Sequence, residues 1–247
     1  MTTPNDHSVE PSNQESSRAM EIFGNIFTAP SKAMSQVQEK YSIAFPLILM
    51  ALLTGSVLFS YYSVVDYPWL VDYLVESTAG ELSKAEQDQT RAGLEMMSPT
   101  VMGVISAITV MVMTAVIYLI QAVYFLIVSN ITNDGYEFKQ WLSFVSWTAI
   151  PGVLAILAMF AYMLSSANGQ LPPDSLNQLS LNELIFGLDA SKGLGKLLST
   201  IHLAQFWSFA VMIIGYQIWT KKSTMTSATI VLSPFVLFYI GWYLLFI

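Results

Sequence analysis

Thr100 to Ala161 reads TVMGVISAITVMVMTAVIYLIQAVYFLIVSNITNDGYEFKQWLSFVSWTAIPGVLAILAMFA. Two long apolar runs flank the polar turn Ser129-Asn130-Ile131-Thr132-Asn133-Asp134-Gly135. From Met96 to Asn133 there is no Asp, Glu, Lys or Arg. Charge returns in Asp134, Glu137 and Lys139, and Trp141 opens the second run. About 20 apolar residues, at ~1.5 Å each, cross the ~30 Å hydrocarbon core of a bilayer. The stretch therefore reads as a transmembrane helical hairpin, and it sets the class of the whole chain.

Composition agrees. The chain of 247 residues is 54% hydrophobic and 11% charged, against about a quarter charged in soluble domains. The absence of Cys removes disulfides, thiolate metal sites and Cys nucleophiles together. A net charge of −7 argues against nucleic-acid binding, which leaves a basic footprint. The first 40 residues lack the basic region, apolar region and cleavage site of a signal peptide.

Outward from the hairpin, the expected fold is an all-α integral membrane protein. It is a bundle of five transmembrane helices, at about 43–65, 101–128, 141–164, 201–220 and 227–247, with short interfacial helices. Three regions follow: a polar tail 1–18, too poor in apolar residues to order itself; an amphipathic segment 19–41; and a membrane domain 42–247. His7 falls in the tail. In the segment 19–41, Ile22, Phe23, Ile26 and Phe27 share a helical face, Pro30 interrupts, and a second short helix follows, a pair suited to the membrane surface.

The spans carry their own markers. Ala51 and Gly55 on the first, and Gly103 and Ala107 on the second, are small pairs for close packing. Gln121 is the strongly polar residue inside the second span, suited to one interhelical hydrogen bond or to lining a pathway. Pro151 should kink the third span by removing a backbone bond, and Gly152, Ala155, Ala158 and Ala161 form a small stripe after it. The fourth span offers Ala204, Ser208 and Gly215, with His202 at its mouth in a structural role. The fifth contains Pro234. Between spans one and two, residues 66–99 carry seven acids and two bases. Ser83 and Glu86 form a capping box there, and Ser180 with Glu183 a second one in loop 165–200. Leu181, Leu184, Ile185 and Leu188, then Leu194, Leu197, Leu198 and Ile201, mark two short helices broken by Gly193 and Gly195.

Six of the ten Lys and Arg lie in the N-terminal segment and even-numbered loops: Arg18, Lys32, Lys40, Lys139, Lys221 and Lys222. The positive-inside rule then places the N-terminus in the cytoplasm and the C-terminus outside. No span contains an ionisable Asp, Glu, Lys or Arg, whereas ion-coupled transporters usually place such groups in the membrane. No H-E-x-x-H, G-x-S-x-G, Walker or dinucleotide motif occurs. We therefore expect no enzyme, no metal and no cofactor.

Three stretches together resemble the Yip-domain (Ypt-interacting protein) family of five-span membrane proteins, in its bacterial branch. They are Ile26-Phe27-Thr28-Ala29-Pro30-Ser31-Lys32-Ala33; Tyr136 to Val145 leading to Ala149-Ile150-Pro151; and Ala204-Gln205-Phe206-Trp207 running through Ile214-Gly215 to Lys221-Lys222 and Ala228. The resemblance covers roughly Glu21 to Ile247. The sequence departs from the eukaryotic members, which bind small Rab-type GTPases, in lacking the Asp-Leu-Tyr-Gly-Pro type of stretch that they carry before the membrane. The resemblance implies a non-enzymatic protein of the bacterial inner membrane. It would act as a membrane scaffold or adaptor, with lipids and a membrane-protein partner or a second copy as its contacts. The alternative is a conduit for a lipid or small neutral solute.

Overall fold

The architecture is that of a computed structural model, which describes residues 11–77 and 82–246. The described chain is helical. Helix α1 (Pro11–Thr28) and helix α2 (Pro30–Glu39) fold back on each other. Pro30 is accommodated in the first turn of α2, where its missing N–H costs nothing. Lys40 pairs with Glu15 at 3.0 Å and Lys32 with Glu21 at 2.8 Å, and the Arg18 guanidinium donates to the Gln36 carbonyl. The apolar face, with Ile22, Ile26, Ala33, Met34 and Val37, is buried. The expected amphipathic pair is thus present, but it packs on the bundle rather than lying free. Its first helix also begins earlier than the composition suggests: residues 11–18 of the expected tail belong to α1. Residues 1–10, with His7, lie outside the described residues.

Helix α3 (Ala44–Val64) runs antiparallel to helix α6 (Pro99–Thr132). Gly55 of α3 meets Met111, and Gly103 of α6 meets Tyr62 and Phe59, so the small pairs bring these two helices together. Helix α6 has 34 residues, longer than the expected span at both ends. It starts on a Ser98 cap, whose Oγ accepts from the Val101 N–H at 3.3 Å, and ends where Asn133 turns left-handed at φ 55.

Between them, residues 66–99 hold two helices. Helix α5 (Lys84–Glu95) starts on the expected capping box: the Glu86 N–H donates to Ser83 Oγ, and the Ser83 N–H to Glu86 Oε2. Helix α4 (Tyr67–Ser77) is an addition to the sequence reading, which described this part of the loop only by its charge. Its Leu70, Val71 and Val75 are buried.

The third apolar run is divided as expected at Pro151. Helix α7 (Phe138–Thr148) gives way to a single 3-10 turn, Ile150–Gly152, before helix α8 (Val153–Ser165). In the following loop, Ser180 Oγ accepts from the Glu183 N–H, the first half of the second capping box. The second half is not formed, because the Ser180 N–H donates to the Asn177 carbonyl. The turn Asn182–Phe186 closes with Gly187 left-handed at φ 59, and the Asn182 amide staples it to the Leu188 backbone. Helix α9 (Gly193–Thr200) absorbs Gly195 instead of breaking there. A Cβ at Gly195 would lie 2.0 Å from the Asp189 carbonyl oxygen, so only glycine fits.

Helix α10 (Leu203–Thr220) and helix α11 (Thr224–Phe246) close the chain. Among the described residues, four stretches are long and apolar enough to cross a membrane: Ala44–Val64, Pro99–Thr132, Phe138–Ser165 and Thr224–Leu245. Helix α10, expected as the fourth of five spans, has 18 residues and carries two Gln and two Trp. The centre of the bundle is α7. Residues 141–148 are buried without interruption, enclosed by α2, α3, α6 and α10.

Candidate functional site

The densest chemistry in the molecule lies where α2, α6, α7 and α10 converge around the two hairpin turns 133–137 and 221–223. Seven rings form one cluster there: Tyr124 and Phe125 from α6, Tyr136 from the turn, Trp141 and Phe144 from α7, and Tyr216 and Trp219 from α10. Phe125 stacks on Trp141 at 5.3 Å, and Trp141 on Tyr216 at 5.7 Å. Phe144 meets Trp219 edge-on at 5.1 Å. Such pairs add about 0.5–1.5 kcal/mol each beyond area burial.

The Trp141 indole N–H at the centre of this cluster is buried without a partner among the described residues, while the polar atoms around it are matched across elements. The Trp219 indole N–H donates to the Met34 carbonyl at 3.0 Å, and the Trp207 N–H to the Ile26 carbonyl at 3.2 Å. Tyr136 donates to the Trp219 carbonyl at 2.7 Å while accepting from Gln38. These bonds clamp the α1–α2 hairpin onto α10. Nearby, the Asp134 carboxylate is 6% exposed and pairs with Lys222, which is 19% exposed. Asp134 also accepts from Thr132 Oγ1 at 2.6 Å and faces the Tyr216 hydroxyl at 3.4 Å. The Lys222 ammonium lies 5.7 Å from the Tyr216 ring centroid. Sequence reading treated Asp134 as the return of charge and Lys222 as an orientation signal. Their pairing joins positions 88 residues apart, which no local pattern reports.

The proline sites show how broken helices are repaired in an apolar setting. Pro46 lies in the first turn of α3, where its missing N–H takes no bond from the helix, and the Ser42 carbonyl lies just before the N-cap Ile43. That oxygen accepts from Ser143 Oγ at 2.9 Å and from the Trp147 indole at 3.0 Å. Pro234 leaves the Ile230 carbonyl open, and Tyr124 of α6 donates to it at 2.6 Å. At Pro234 a neighbouring helix thus supplies the donor that proline removes.

The remaining candidate residues divide by location. Gly215 is the tightest crossing point, since a Cβ there would lie 2.7 Å from Met34 Cε and 2.8 Å from Phe144 Cε2. Gly152 faces only the Met50 methyl, at 3.2 Å from such a Cβ. In the small stripe of α8, Ala155 is buried, Gly152 and Ala158 are half-buried and Ala161 is exposed, so close packing is confined to its start. Gly103 is buried against α3, and Ala107 lines an open groove with Gly55 and Met111. Ser208 is half-buried on α10. Gln121 is half-buried with no hydrogen-bond partner among the described residues, so the expected interhelical bond is not made. His202 caps α10, its Nδ1 accepting from the Gln205 N–H at 3.2 Å. Among the described residues no three His, Asp or Glu side chains gather to hold a metal ion.

No curated protein and no solved structure matches this chain. The sequence profile described as the Yip1 domain matches residues 24–245. That range takes in the end of α1, all of α2, the aromatic junction and the four apolar spans, and the chain belongs to the Yip1 domain family.

Proposed function

We propose that this protein is a non-enzymatic membrane scaffold or adaptor. The observation that carries the reading is the α1–α2 hairpin. Its apolar face is committed to α10 and α7, while its opposite face presents Met20, Glu21, Lys32 and Glu39 outward. A polar helical surface held rigidly on a membrane bundle suits a peripheral partner, because little ordering entropy is lost on binding. The finer placement follows the charge bias of the loops. Helix α10 is the fourth of five spans, the N-terminus lies in the cytoplasm of a bacterial cell, and the C-terminus lies outside the inner membrane. The alternative, a conduit, has less support, because the filled core at 141–148 leaves α7 no lumen to line.

Because the sequence has no Cys, single Cys substitutions report without background. A photo-crosslinker attached at Met20→Cys, in native membranes, should capture a specific protein. The same probe at Met96→Cys, exposed on the opposite end of the bundle, should not. Identical adducts from both positions, or none from Met20, would overturn the adaptor reading.

A further inference from the structure

An open groove of about 510 Å³ runs between the start of α2 and the last turns of α10, lined by Ser31, Ile214, Gln217, Ile218, Lys221 and Lys222. Its polar members differ in their commitments. Lys222 is held by Asp134. The Lys221 ammonium, the Gln217 amide and the Ser31 hydroxyl have no hydrogen-bond or ion-pair partner among the described residues. Lys32, next to Ser31, is neutralised by Glu21. The groove therefore offers one uncompensated positive charge, two neutral hydrogen-bonding groups and an apolar floor.

The floor continues along α10. Ile218, Ile214, Trp207 and Leu203 follow one another at spacings of four or seven, so they share one face of the helix, and Lys221 caps its C-terminal end. Trp207 and Leu203 are exposed at 38% and 57%. A cation at the membrane-water boundary above an apolar helical stripe complements a ligand with a single negative charge and a long hydrocarbon chain. A phosphate diester of a phospholipid has this form: its phosphate accepts from Lys221, Gln217 and Ser31, and one acyl chain lies along Ile218 and Ile214. We infer that this groove is a binding site for one anionic phospholipid, taken from the leaflet that borders the turn 221–223. The site stands apart from the adaptor reading and does not require a protein partner.

Native mass spectrometry of the detergent-purified full chain, titrated with phosphatidylglycerol or phosphatidylcholine, tests it. One phosphatidylglycerol should bind in preference to phosphatidylcholine. Lys221 is left-handed at φ 57, a conformation that Asn tolerates well. Lys221→Asn therefore removes the charge without straining the turn, and should weaken phosphatidylglycerol binding about tenfold. Lys221→Arg should retain it, Ile214→Trp should fill the groove and abolish it, and Lys139→Gln, at an exposed cation on another turn, should leave it unchanged. Equal binding of the two lipids, equal loss in Lys221→Asn and Lys139→Gln, or unaltered binding in Lys221→Asn would each overturn the site. So would displacement by soluble sn-glycerol 3-phosphate, which would mark the groove as a site for a free phosphate ester.

Discussion

At the scale of single residues, the most informative atoms are carbonyl oxygens that proline leaves open. A free C=O inside a membrane has no water to turn to, so its donor must come from the protein. The hydroxyl of Tyr124 fills that role for Ile230 at 2.6 Å, with Ser233 Oγ as a longer second donor at 3.2 Å. Tyr124→Phe keeps the ring and removes the donor. It should cost about 1–2 kcal/mol in reversible unfolding from detergent micelles. In a Pro234→Ala background the backbone N–H returns and bonds Ile230 itself, so the same Tyr124→Phe change should cost much less. A double-mutant cycle showing no such coupling would refute the repair. The Asp134–Lys222 pair makes a second case. Lys222→Met leaves the buried carboxylate unpaired and should cost about 3–5 kcal/mol, while adding Asp134→Asn should recover much of the loss. Strictly additive losses in the same unfolding assay would contradict a coupled pair. Pro151, Pro234, Asp134 and Lys222 are all plain in the sequence. Their partners are not, since each lies on an element distant along the chain.

At the scale of elements, the small residues differ in what they permit. Gly215 sits where α2, α7 and α10 cross, under Met34 and Phe144. Gly215→Val should force these helices apart and destabilise the fold by about 1–3 kcal/mol, the cost of overpacking. Gly152 meets only the end of the flexible Met50 side chain, so Gly152→Ala should cost well under that and could gain helix propensity. Equal losses of thermal stability in the two variants would show that α10 is not the pinned crossing. Neither glycine is open to a second copy of the chain through the face it packs within its own. The long uncharged runs of α3, α6, α7–α8 and α11 were legible because nothing but membrane crossing accounts for such length without charge. Helix α4 was not, because its apolar triad is interspersed with Asp72 and Glu76 and looks like loop. The start of α1 was hidden for a related reason. Its order comes from Lys40, Gln36 and the docking of Ile22, none of which is visible in the composition of residues 11–18.

At the scale of the whole molecule, the number of crossings turns on α10. This helix has 18 residues, about 27 Å at 1.5 Å per residue, close to the ~30 Å core. Its Gln205, Trp207, Tyr216 and Trp219 lower its mean hydropathy. Yet the Gln205 amide N–H, the two indoles and the Tyr216 hydroxyl meet Tyr239, Ile26, Met34 and Asp134, which leaves Gln205 Oε1 as the one buried atom of these four side chains without a partner among the described residues. A crossing α10 puts Lys192 and Ser223 on opposite sides of the membrane. In whole cells, Lys192→Cys should react with a membrane-impermeant maleimide, and Ser223→Cys only after permeabilisation. Labelling of both in intact cells would make α10 a surface helix and leave four spans. Labelling of Ser223→Cys alone would keep five spans and invert the protein, placing the α1–α2 clamp and the Lys221 groove on the outer face. The adaptor would then meet its partner outside the cell, while the groove would still face a lipid headgroup in the leaflet beside it.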